Sequence, residues 1–362
     1  RRYLWTDAFA VCNFLELYHR SQDEEWLALA RSLVNQVHHT LGRHRPDSDQ
    51  NGWLSGLSDE EGERHPTRGG LRIGKKMDQR APEEPMDERL EWERDGQYYH
   101  YLTKWMRALT RTSRVTGEPF YLRWGMELAQ TAHQAFRFSD GPDGSLGLNW
   151  KMSTDLRRSL VPSVGQHDPL DGLVTCCEMV CAARHFTDEV LPDLEREIRE
   201  LTEMCRGRDF STGDSLGIGS MLADACRIGE LIINEAFQDL ALFQHVVNDA
   251  VISLEGVGGS FLDQPAKYRL AFRELGLSIG LKGAARLARL FAEYPDVRGG
   301  ELAEWLQPYL EAMLWFHKLS GRIEGFWIEQ RRKGTQHWRS HGDINMVMLA
   351  TSLAPDQFLR SG

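Results

Sequence analysis

The sequence predicts an all-α protein, in which about six helical hairpins close into an (α/α)6 toroid with the long loops on one face. Apolar residues recur at intervals of three and four along most of the 362 residues, and strict alternation is scarce. Short turns alternate with long connections, and an internal repeat relates successive hairpins. These three observations favour paired helices over a sheet.

Composition predicts one large folded domain over residues 1–362, because hydrophobic residues make up 41% and charged residues 27% with no linker-like tract. The net charge of -10 and the lack of a Lys/Arg run argue against nucleic acid as a partner. No apolar stretch is long enough to span a bilayer. Because the first residues lack a secretory signal, we expect a cytoplasmic protein, although a start without Met leaves export open.

No metal or organic cofactor is expected. The sequence holds no HExxH motif, no Gly-x-Ser-x-Gly elbow between a strand and a helix and no phosphate-binding glycine loop. Most cysteines fall in apolar helical stretches, which is typical of reduced core residues, and no second Cys or His pair stands at zinc-ligand spacing. The cysteines are Cys12, Cys176, Cys177, Cys181, Cys205 and Cys226.

The apolar periodicity assigns helices to residues 4–20, 24–42, 97–115, 118–136, 169–186, 190–206, 214–233, 236–253, 265–293, 300–318 and 342–353. Short turns are predicted at residues 21–23, 116–118, 187–189, 234–235 and 295–297. Long connections are predicted at residues 43–96, 137–168, 207–213, 254–264 and 319–341. Alternate connections of an up-and-down bundle lie on opposite faces, so the long loops should share the face where binding groups usually collect.

The internal repeat appears when the chain is shifted by about 95 positions, which lays residues 26–38 over 121–133. Under this shift and a weaker one of about 71 positions, Trp5, His100 and Asp171 become equivalent, each near the start of the first helix of its hairpin. Helical-pair repeats form open solenoids or closed rings. Irregular periods with large insertions on one face favour the ring.

The helix-opening segment of residues 3–9, the hairpin pattern of residues 116–122 and the aromatic, acidic loop ends are similar to those of the six-hairpin glycosidase superfamily. These toroids include glycoside hydrolases, some polysaccharide lyases and the N-acylglucosamine 2-epimerase group. The resemblance covers nearly the whole chain as architecture and implies a carbohydrate pocket on the long-loop face. Residues 325–329 and 333–338 resemble the epimerase tail, but His341-Gly342-Asp343-Ile344-Asn345 replaces the His-x-x-Arg of that group.

Carboxylates next to aromatic residues are concentrated in residues 91–100 and 167–172. Glycoside hydrolysis needs one carboxyl group that donates a proton and a second that activates water or attacks the sugar. The leading pair is Asp95 and Asp168, and the further candidates are Asp7, Asp171 and Glu274. Helix capping alone would also explain several of these residues, since Asp168 before Pro169 has the form of an N-cap.

Aromatic faces stack on the apolar face of a pyranose, and rim histidines bind hydroxyl groups or transfer protons. The aromatic candidates are Trp5, Trp53, Trp92, Tyr98, Tyr99, Trp150, Trp327 and Trp338. The histidine candidates are His100, His167, His337 and His341. Arg269, which shares a helix face with Arg273, would suit a uronate or phosphate, although a solvated, ion-paired face is the favoured interpretation.

Two loop segments have features of their own. Residues 43–96 are rich in Gly, Pro and charge, which suggests a lid over the pocket. Residues 139–151 carry turn signals and would form a short hairpin.

We therefore predict a carbohydrate-active enzyme, with a glycoside hydrolase that uses two carboxylates as the main hypothesis. A second hypothesis is a sugar epimerase that uses His167 and His341 or a neighbouring pair. The third is a carbohydrate-binding protein without activity. The sugar, the linkage and the oligomeric state stay open at this stage.

Overall fold

A computed structural model describes residues 2–140 and 144–361, without the side chains of Asp140 and Ser260. Helices account for 65% of the chain, which confirms the all-α prediction. The chain divides into two compact units, residues 1–206 and residues 207–362. Each unit is built from helical hairpins. The closing of all the hairpins into one ring, within one domain, stays a prediction.

The first unit holds three long hairpins. Their helices are α1 (Leu4–Ser21) with α2 (Glu24–Leu41), α5 (Tyr99–Thr116) with α6 (Pro119–Phe136), and α7 (Asp168–Ala183) with α8 (Glu195–Cys205). The short helices α3 (Asp59–Arg64) and α4 (Glu88–Glu91) lie in the connection between α2 and α5. The first helices are neighbours, since α1 packs against α5 and α5 packs against α7.

The pattern of burial distinguishes the inner helix of a hairpin from the outer one. The inner helix α5 is buried on nearly every side from Leu102 to Ser113. The outer helix α2 buries one stripe at helical spacing, including Leu27, Val34 and Leu41. Burial of an apolar stripe of this kind is the main source of stability for such a hairpin.

Two predicted turns of this unit are confirmed. Gln22 and Gly117 follow α1 and α5 in the left-handed conformation, with φ of 58° and 71°, and their N–H groups bond back to the last helical turn. Asp23 then caps α2 by accepting a hydrogen bond from the Glu25 N–H. The third turn, predicted at 187–189, is part of a longer connection between α7 and α8.

The contact between α5 and α7 contains charged pairs as well as apolar side chains. Lys104 Nζ lies 2.8 Å from Asp171 Oδ2, and Arg107 Nη1 lies 3.4 Å from the Glu178 carboxylate. All four side chains are buried. A buried pair of this kind adds little net stability, but the loss of one partner is costly, because it leaves the other charge buried and uncompensated.

The two long connections of this unit meet, as the shared-face prediction requires. Strand β1 (Gln97–Tyr98) pairs with strand β4 (Lys151–Met152) in antiparallel register. The buried Lys151 ammonium donates to the carbonyls of Glu91 and Arg94. The connection before α5 and the connection before α7 are therefore tied together beside the starts of those helices.

The predicted hairpin within residues 139–151 is also present. Strands β2 (Arg137–Asp140) and β3 (Ser145–Leu148) pair in antiparallel register, with Phe138 opposite Gly147. Its turn, residues 141–143, lies outside the described residues.

The connection of residues 43–96 is anchored in part. The Leu4 N–H donates to the Ile73 carbonyl, and the Arg72 N–H donates to the Leu41 carbonyl. Leu71, Arg72 and Ile73 are buried, so this portion is a fixed part of the core. The lid role of the remainder stays a prediction.

The second unit contains α9 (Ser215–Ile233), α10 (Leu240–Val257), α11 (Ala271–Glu293), α12 (Glu301–Phe316), α13 (Lys318–Lys333), α14 (Gln336–Arg339), α15 (Gly342–Leu353) and α16 (Asp356–Leu359), with three short 3-10 helices at 260–263, 266–268 and 297–299. Helices α9 and α11 pack closely through glycines. A Cβ on Gly219 would lie 2.1 Å from the Gly276 carbonyl oxygen, so the two backbones are in direct contact.

One predicted long connection was wrong. Residues 319–341 hold the four-turn helix α13, whose buried residues are Leu319, Ser320, Ile323 and Trp327. The spacing of Leu319, Ile323 and Trp327 is helical, but Gly321, Gly325 and the charged residues between them obscured it in the sequence. Within the described residues, no helix is long and apolar enough to cross a membrane.

Candidate functional site

The candidate site lies where α1, α5 and α7 begin in the first unit. The repeat predicted Trp5, His100 and Asp171 at equivalent helix starts, and they occupy the second, second and fourth positions of α1, α5 and α7. The Trp5 and His100 rings lie 6.0 Å apart. His100 in turn faces Asp168, one turn before Asp171.

Six rings form a continuous group, here called the aromatic cluster: Tyr3, Trp5, Tyr98, His100, Tyr101 and Trp150. Tyr101 lies at its centre, with ring centroids 5.2 Å from Trp5, 5.1 Å from Tyr98 and 4.8 Å from His100. Trp150 stacks parallel to His100 at 6.0 Å. Trp5 and Tyr98 are buried, whereas His100, Tyr101 and Trp150 are partly exposed, so the cluster reaches the surface.

His100 is the titratable side chain at the exposed edge of the aromatic cluster. A quarter of the side chain is exposed, and Nδ1 lies 4.0 Å from Asp168 Oδ1. That Nδ1 is buried and has no hydrogen-bond partner among the described residues. Burial, followed by the Lys104 ammonium, lowers the pKa of His100 to about 3, so the imidazole is neutral at neutral pH.

Asp168 and Asp171 project from the first turn of α7 and are both buried. The Asp171 carboxylate accepts hydrogen bonds from Lys104 Nζ at 2.8 Å and from the Thr103 hydroxyl. The Asp168 carboxylate packs over Gly165, where a Cβ would lie 2.1 Å from Oδ2. The predicted N-cap at Asp168 was wrong, because α7 begins at Asp168 itself and His167 occupies the N-cap position without a side-chain capping hydrogen bond.

Asp7 lies in the first turn of α1 and is buried. Its carboxylate accepts the Tyr3 N–H at 3.1 Å and faces Arg2 Nη1 at 3.6 Å. Burial raises the pKa of Asp7, and the Arg2 guanidinium and the Tyr3 N–H oppose the shift without cancelling it. Asp7 therefore retains a proton to higher pH than an exposed aspartate.

Asp95 is completely buried and surrounded by donors. Oδ2 accepts from Arg72 Nη1 at 2.6 Å, and Oδ1 accepts from the N–H groups of Gly74 and Lys75 at 2.9 and 3.3 Å. Arg45 Nη1 also lies 3.7 Å from Asp95 Oδ2. The carboxylate joins the start of α5 to the segment of residues 72–75, so its contacts are those of a structural ion pair.

The remaining predicted residues of this unit have different environments. Trp53 and Tyr99 belong to the core, where Arg43 covers the Trp53 ring at 4.3 Å and Tyr99 packs on Phe136. Trp92 is 53% exposed and contacts Trp150 at 5.1 Å, which extends the aromatic surface away from the cluster. His167 is half-buried before the start of α7.

The second unit contains the other predicted residues. Glu274 forms a buried double ion pair with Arg269, at 2.8 and 2.6 Å, and accepts from Trp327 Nε1 at 2.7 Å. The favoured interpretation of Arg269 as part of a solvated helix face shared with Arg273 was wrong, because Arg269 is buried and precedes α11 in extended backbone. Trp338 is buried, whereas His337 and His341 are exposed, and His341 contacts the Phe272 ring at 5.6 Å.

A polar cavity of 270 Å³ lies in the first unit beside Arg72, and it is lined by residues from 44–50, 72, 78–79 and 154–155. Its two arginines already bind carboxylates or carbonyls, since Arg45 pairs with Asp47 and Arg72 with Asp95. Across the described chain, no group of three or more His, Cys, Asp or Glu side chains is arranged to hold a metal ion.

Several residues of the site were not singled out from the sequence, namely Tyr3, Tyr101, Thr103 and Lys104. Tyr3 and Tyr101 share a hydroxyl–hydroxyl hydrogen bond of 2.6 Å inside the aromatic cluster. Helical spacing places Lys104 on the same face of α5 as His100, four positions later, and Asp171 on the same face of α7 as Asp168, three positions later. Spacing alone does not show that these two faces meet, so the sequence did not identify the contact between Lys104 and Asp171.

Comparison with protein-family models and with curated proteins finds no match to the chain. Among solved structures, the chain is similar to a sugar epimerase from a ruminal bacterium, with a TM-score of 0.46 and 10% identity over 86% of this chain and 75% of that one. It is also similar to cellobiose 2-epimerase from Spirochaeta thermophila, with a TM-score of 0.45 and 13% identity over 90% and 87%.

Proposed function

We propose that the protein is a carbohydrate-active enzyme, in which the aromatic cluster binds a sugar and His100 transfers a proton in an epimerase or isomerase reaction. One observation carries the proposal. A neutral imidazole lies at the partly exposed edge of the aromatic cluster with its buried Nδ1 facing the Asp168 carboxylate. A base within a ring-lined surface, with an anion behind it, suits proton transfer to and from a sugar.

The aromatic cluster supplies the surface for a sugar ring. Trp150 and Tyr101 are partly exposed, and Trp92 continues the aromatic surface outward. The C–H face of a pyranose packs on such rings, while its hydroxyl groups need polar partners nearby. His100 is the polar group at the exposed edge of these rings, and Asp168 lies behind it.

The proposed step removes the hydrogen at C2 of an open-chain aldose, which is acidic because C1 is a carbonyl carbon. The C2–H bond breaks and its proton passes to His100. The electron pair forms the C1=C2 bond, and the C1=O pair becomes negative charge on O1. Return of a proton to the other face of C2, with O1 regaining its double bond to C1, gives the 2-epimer. Return of a proton to C1, with transfer of the O2–H proton to O1, gives the ketose. No redox co-reactant is needed.

Charge placement supports His100 as the acceptor. The imidazole is uncharged at neutral pH, so a ring nitrogen is available, but the pKa of about 3 makes it a weak base until its cation is stabilised. The imidazolium that forms would face the Asp168 carboxylate at 4.0 Å, which favours it electrostatically. His341 is not included in the proposal, because it is exposed in the second unit.

Two of the predicted carboxylates are already committed to ion pairs. Asp95 binds Arg72 and two backbone N–H groups, and Asp171 binds Lys104 and Thr103. The ion pair of Asp95 argues against Asp95 and Asp168 as the acid and base of a glycosidase. Glycoside hydrolysis stays a second candidate on one observation, the raised pKa of Asp7, because a carboxyl group that retains its proton suits a general acid.

The experiment incubates the purified protein with free sugars and disaccharides, including glucose, mannose, N-acetylglucosamine, cellobiose and lactose, and separates the products by anion-exchange chromatography. We expect interconversion of epimers or of aldose and ketose, lost by at least about 100-fold in His100→Gln. His19→Gln is the matched control, because His19 is exposed in the last turn of α1.

The outcomes separate the hypotheses. Release of new reducing ends from the disaccharides, reduced in Asp7→Asn, would support the hydrolase and overturn the epimerase. Binding of a sugar without any product would overturn both and leave a carbohydrate-binding protein. Equal interconversion by the native chain and His100→Gln would remove His100 from the reaction.

A further inference from the structure

The Lys104–Asp171 ion pair lies one helical turn beneath the proposed proton acceptor. His100 and Lys104 are four residues apart on α5, and Asp168 and Asp171 are three apart on α7, so each pair shares a helix face. His100 faces Asp168 at 4.0 Å, and Lys104 bonds Asp171 at 2.8 Å. Two polar pairs therefore lie between α5 and α7, about one helical turn apart. His100, in the first pair, is partly exposed, and the Lys104–Asp171 pair is buried.

We infer that Lys104 is a positioning residue for the proposed proton transfer, and that its ammonium group keeps the His100 imidazole uncharged before a sugar binds by offsetting the negative charge of α7. The role of Lys104 in catalysis rests on the proposed function. Its effect on the charge of His100 does not, and can be measured without any sugar. Without Lys104, His100 would keep the two nearby aspartates, Asp168 and Asp171, but would lose the nearby ammonium group.

The groups around His100 support this assignment. Those that face it from the neighbouring elements and from its own helix are Trp5 on α1, Tyr98 on β1, Tyr101 and Lys104 on α5, Trp150 before α7, and Asp168 and Asp171 on α7. The tyrosines are uncharged at neutral pH, because burial raises the pKa of Tyr98 and of Tyr101. The charged groups that face His100 are therefore Lys104, Asp168 and Asp171.

The sign of the effect follows from Coulomb's law. A cation beside the imidazole disfavours its protonation, and a carboxylate favours it. The pKa of His100 is lowered by Lys104 and raised by Asp171, with burial as the largest cause of the net decrease. Replacing Lys104 by Met removes the cation while the Asp171 carboxylate stays in place, so the pKa of His100 should rise.

The test measures the charge state of His100 by NMR on the full chain labelled with nitrogen-15 histidine, without any sugar. The His100 signals are assigned from the spectrum of His100→Gln. At pH 5 we expect the ratio of charged to neutral imidazole to rise at least about tenfold in Lys104→Met, which corresponds to one pKa unit. Lys104→Arg, which keeps the charge, should retain the native ratio.

Two further variants complete the test. The double variant Lys104→Met with Asp171→Asn removes both charges of the buried ion pair, so it stays informative if the single variant does not fold. It should show a smaller increase in the charged fraction of His100. Lys282→Met breaks a lysine pair with Glu324 in the second unit and should leave the His100 signals unchanged. A native charge state of His100 in every folded variant that lacks Lys104 would overturn the inference.

A working activity assay adds a second measurement. Since protonation removes the acceptor, the acidic limb of the pH profile should move to higher pH in Lys104→Met, and Lys104→Arg should restore it. Failure to find any sugar product would overturn the proposed function but not the charge measurement. A charged His100 in the native chain at pH 5 would overturn the role of Lys104 even if the enzyme is an epimerase.

Discussion

Asp95 provides a quantitative test of the distinction between a structural and a catalytic carboxylate. The substitution Asp95→Asn preserves the size of the side chain and removes its charge. Oδ1 of an asparagine still accepts from the Gly74 N–H, but the Arg72 guanidinium loses its anion. Both Asp95 and Arg72 are buried, so solvent does not compensate for the lost charge.

Burial of the pair determines how much folding stability Asp95→Asn should lose. Removing one partner of a buried ion pair costs about 3 to 5 kcal/mol, and the retained hydrogen bond places Asp95→Asn near the lower end, at about 3 kcal/mol. Asp59→Asn is the matched control, because Asp59 also pairs with an arginine of the same connection, Arg43, at 3.0 Å, but is 80% exposed. An exposed pair contributes less than about 1 kcal/mol.

The assay is urea unfolding followed by circular dichroism at pH 7. We expect Asp95→Asn to unfold at a clearly lower urea concentration with an unchanged slope, and Asp59→Asn to unfold close to the native chain. Equal midpoints for the two variants would refute the structural role of Asp95. Native stability combined with lost turnover in Asp95→Asn would return Asp95 to the active site.

Two further predictions concern stability. The pKa of Asp7 is raised in the folded chain, so ionisation of Asp7 destabilises the fold at neutral pH. Asp7→Asn should therefore be more stable than the native chain at pH 7. The difference in stability should vanish below pH 3.8, the ordinary pKa of an aspartate, because Asp7 is then protonated in both the folded and the unfolded chain. Urea unfolding at pH 7 and at pH 3.5 measures this, and a larger gain at the lower pH would contradict it. Gly219→Ala should destabilise the chain by about 1 to 3 kcal/mol, because its Cβ would meet the Gly276 carbonyl oxygen at 2.1 Å, whereas Gly321→Ala on the open face of α13 should stabilise it by about 0.5 to 1 kcal/mol. Thermal unfolding compares the two, and effects of the same sign would contradict the packing argument.

The sequence predicted the hairpins well because their signals are local. Apolar spacing located α1, α2, α5 and α6 to within a few residues, and the turn at Gly117 carries its own chemistry. Helix α13 was missed because its buried stripe is thin and two exposed glycines interrupt it. Glycine lowers helix propensity locally, but packing of Ile323 and Trp327 overrides that preference.

The candidate site was predicted only in part, for a physical reason. The repeat placed Trp5, His100 and Asp171 at equivalent helix starts, and that equivalence follows from local sequence. Charge pairing across helices does not, because it depends on which faces meet. Asp95 and Lys104 illustrate the limit, since only the structure gives their partners, Arg72 and Asp171.

In the proposed reaction, His100 exchanges a proton with a carbon atom of a bound sugar. The most direct measurement runs the reaction in deuterium oxide with each sugar of the panel and examines the recovered sugars by proton NMR and mass spectrometry. We expect one carbon-bound deuterium at C2 or C1 of a sugar treated with the native chain, and none with His100→Gln. Recovered sugars without carbon-bound deuterium, alongside newly released reducing ends, would contradict the account.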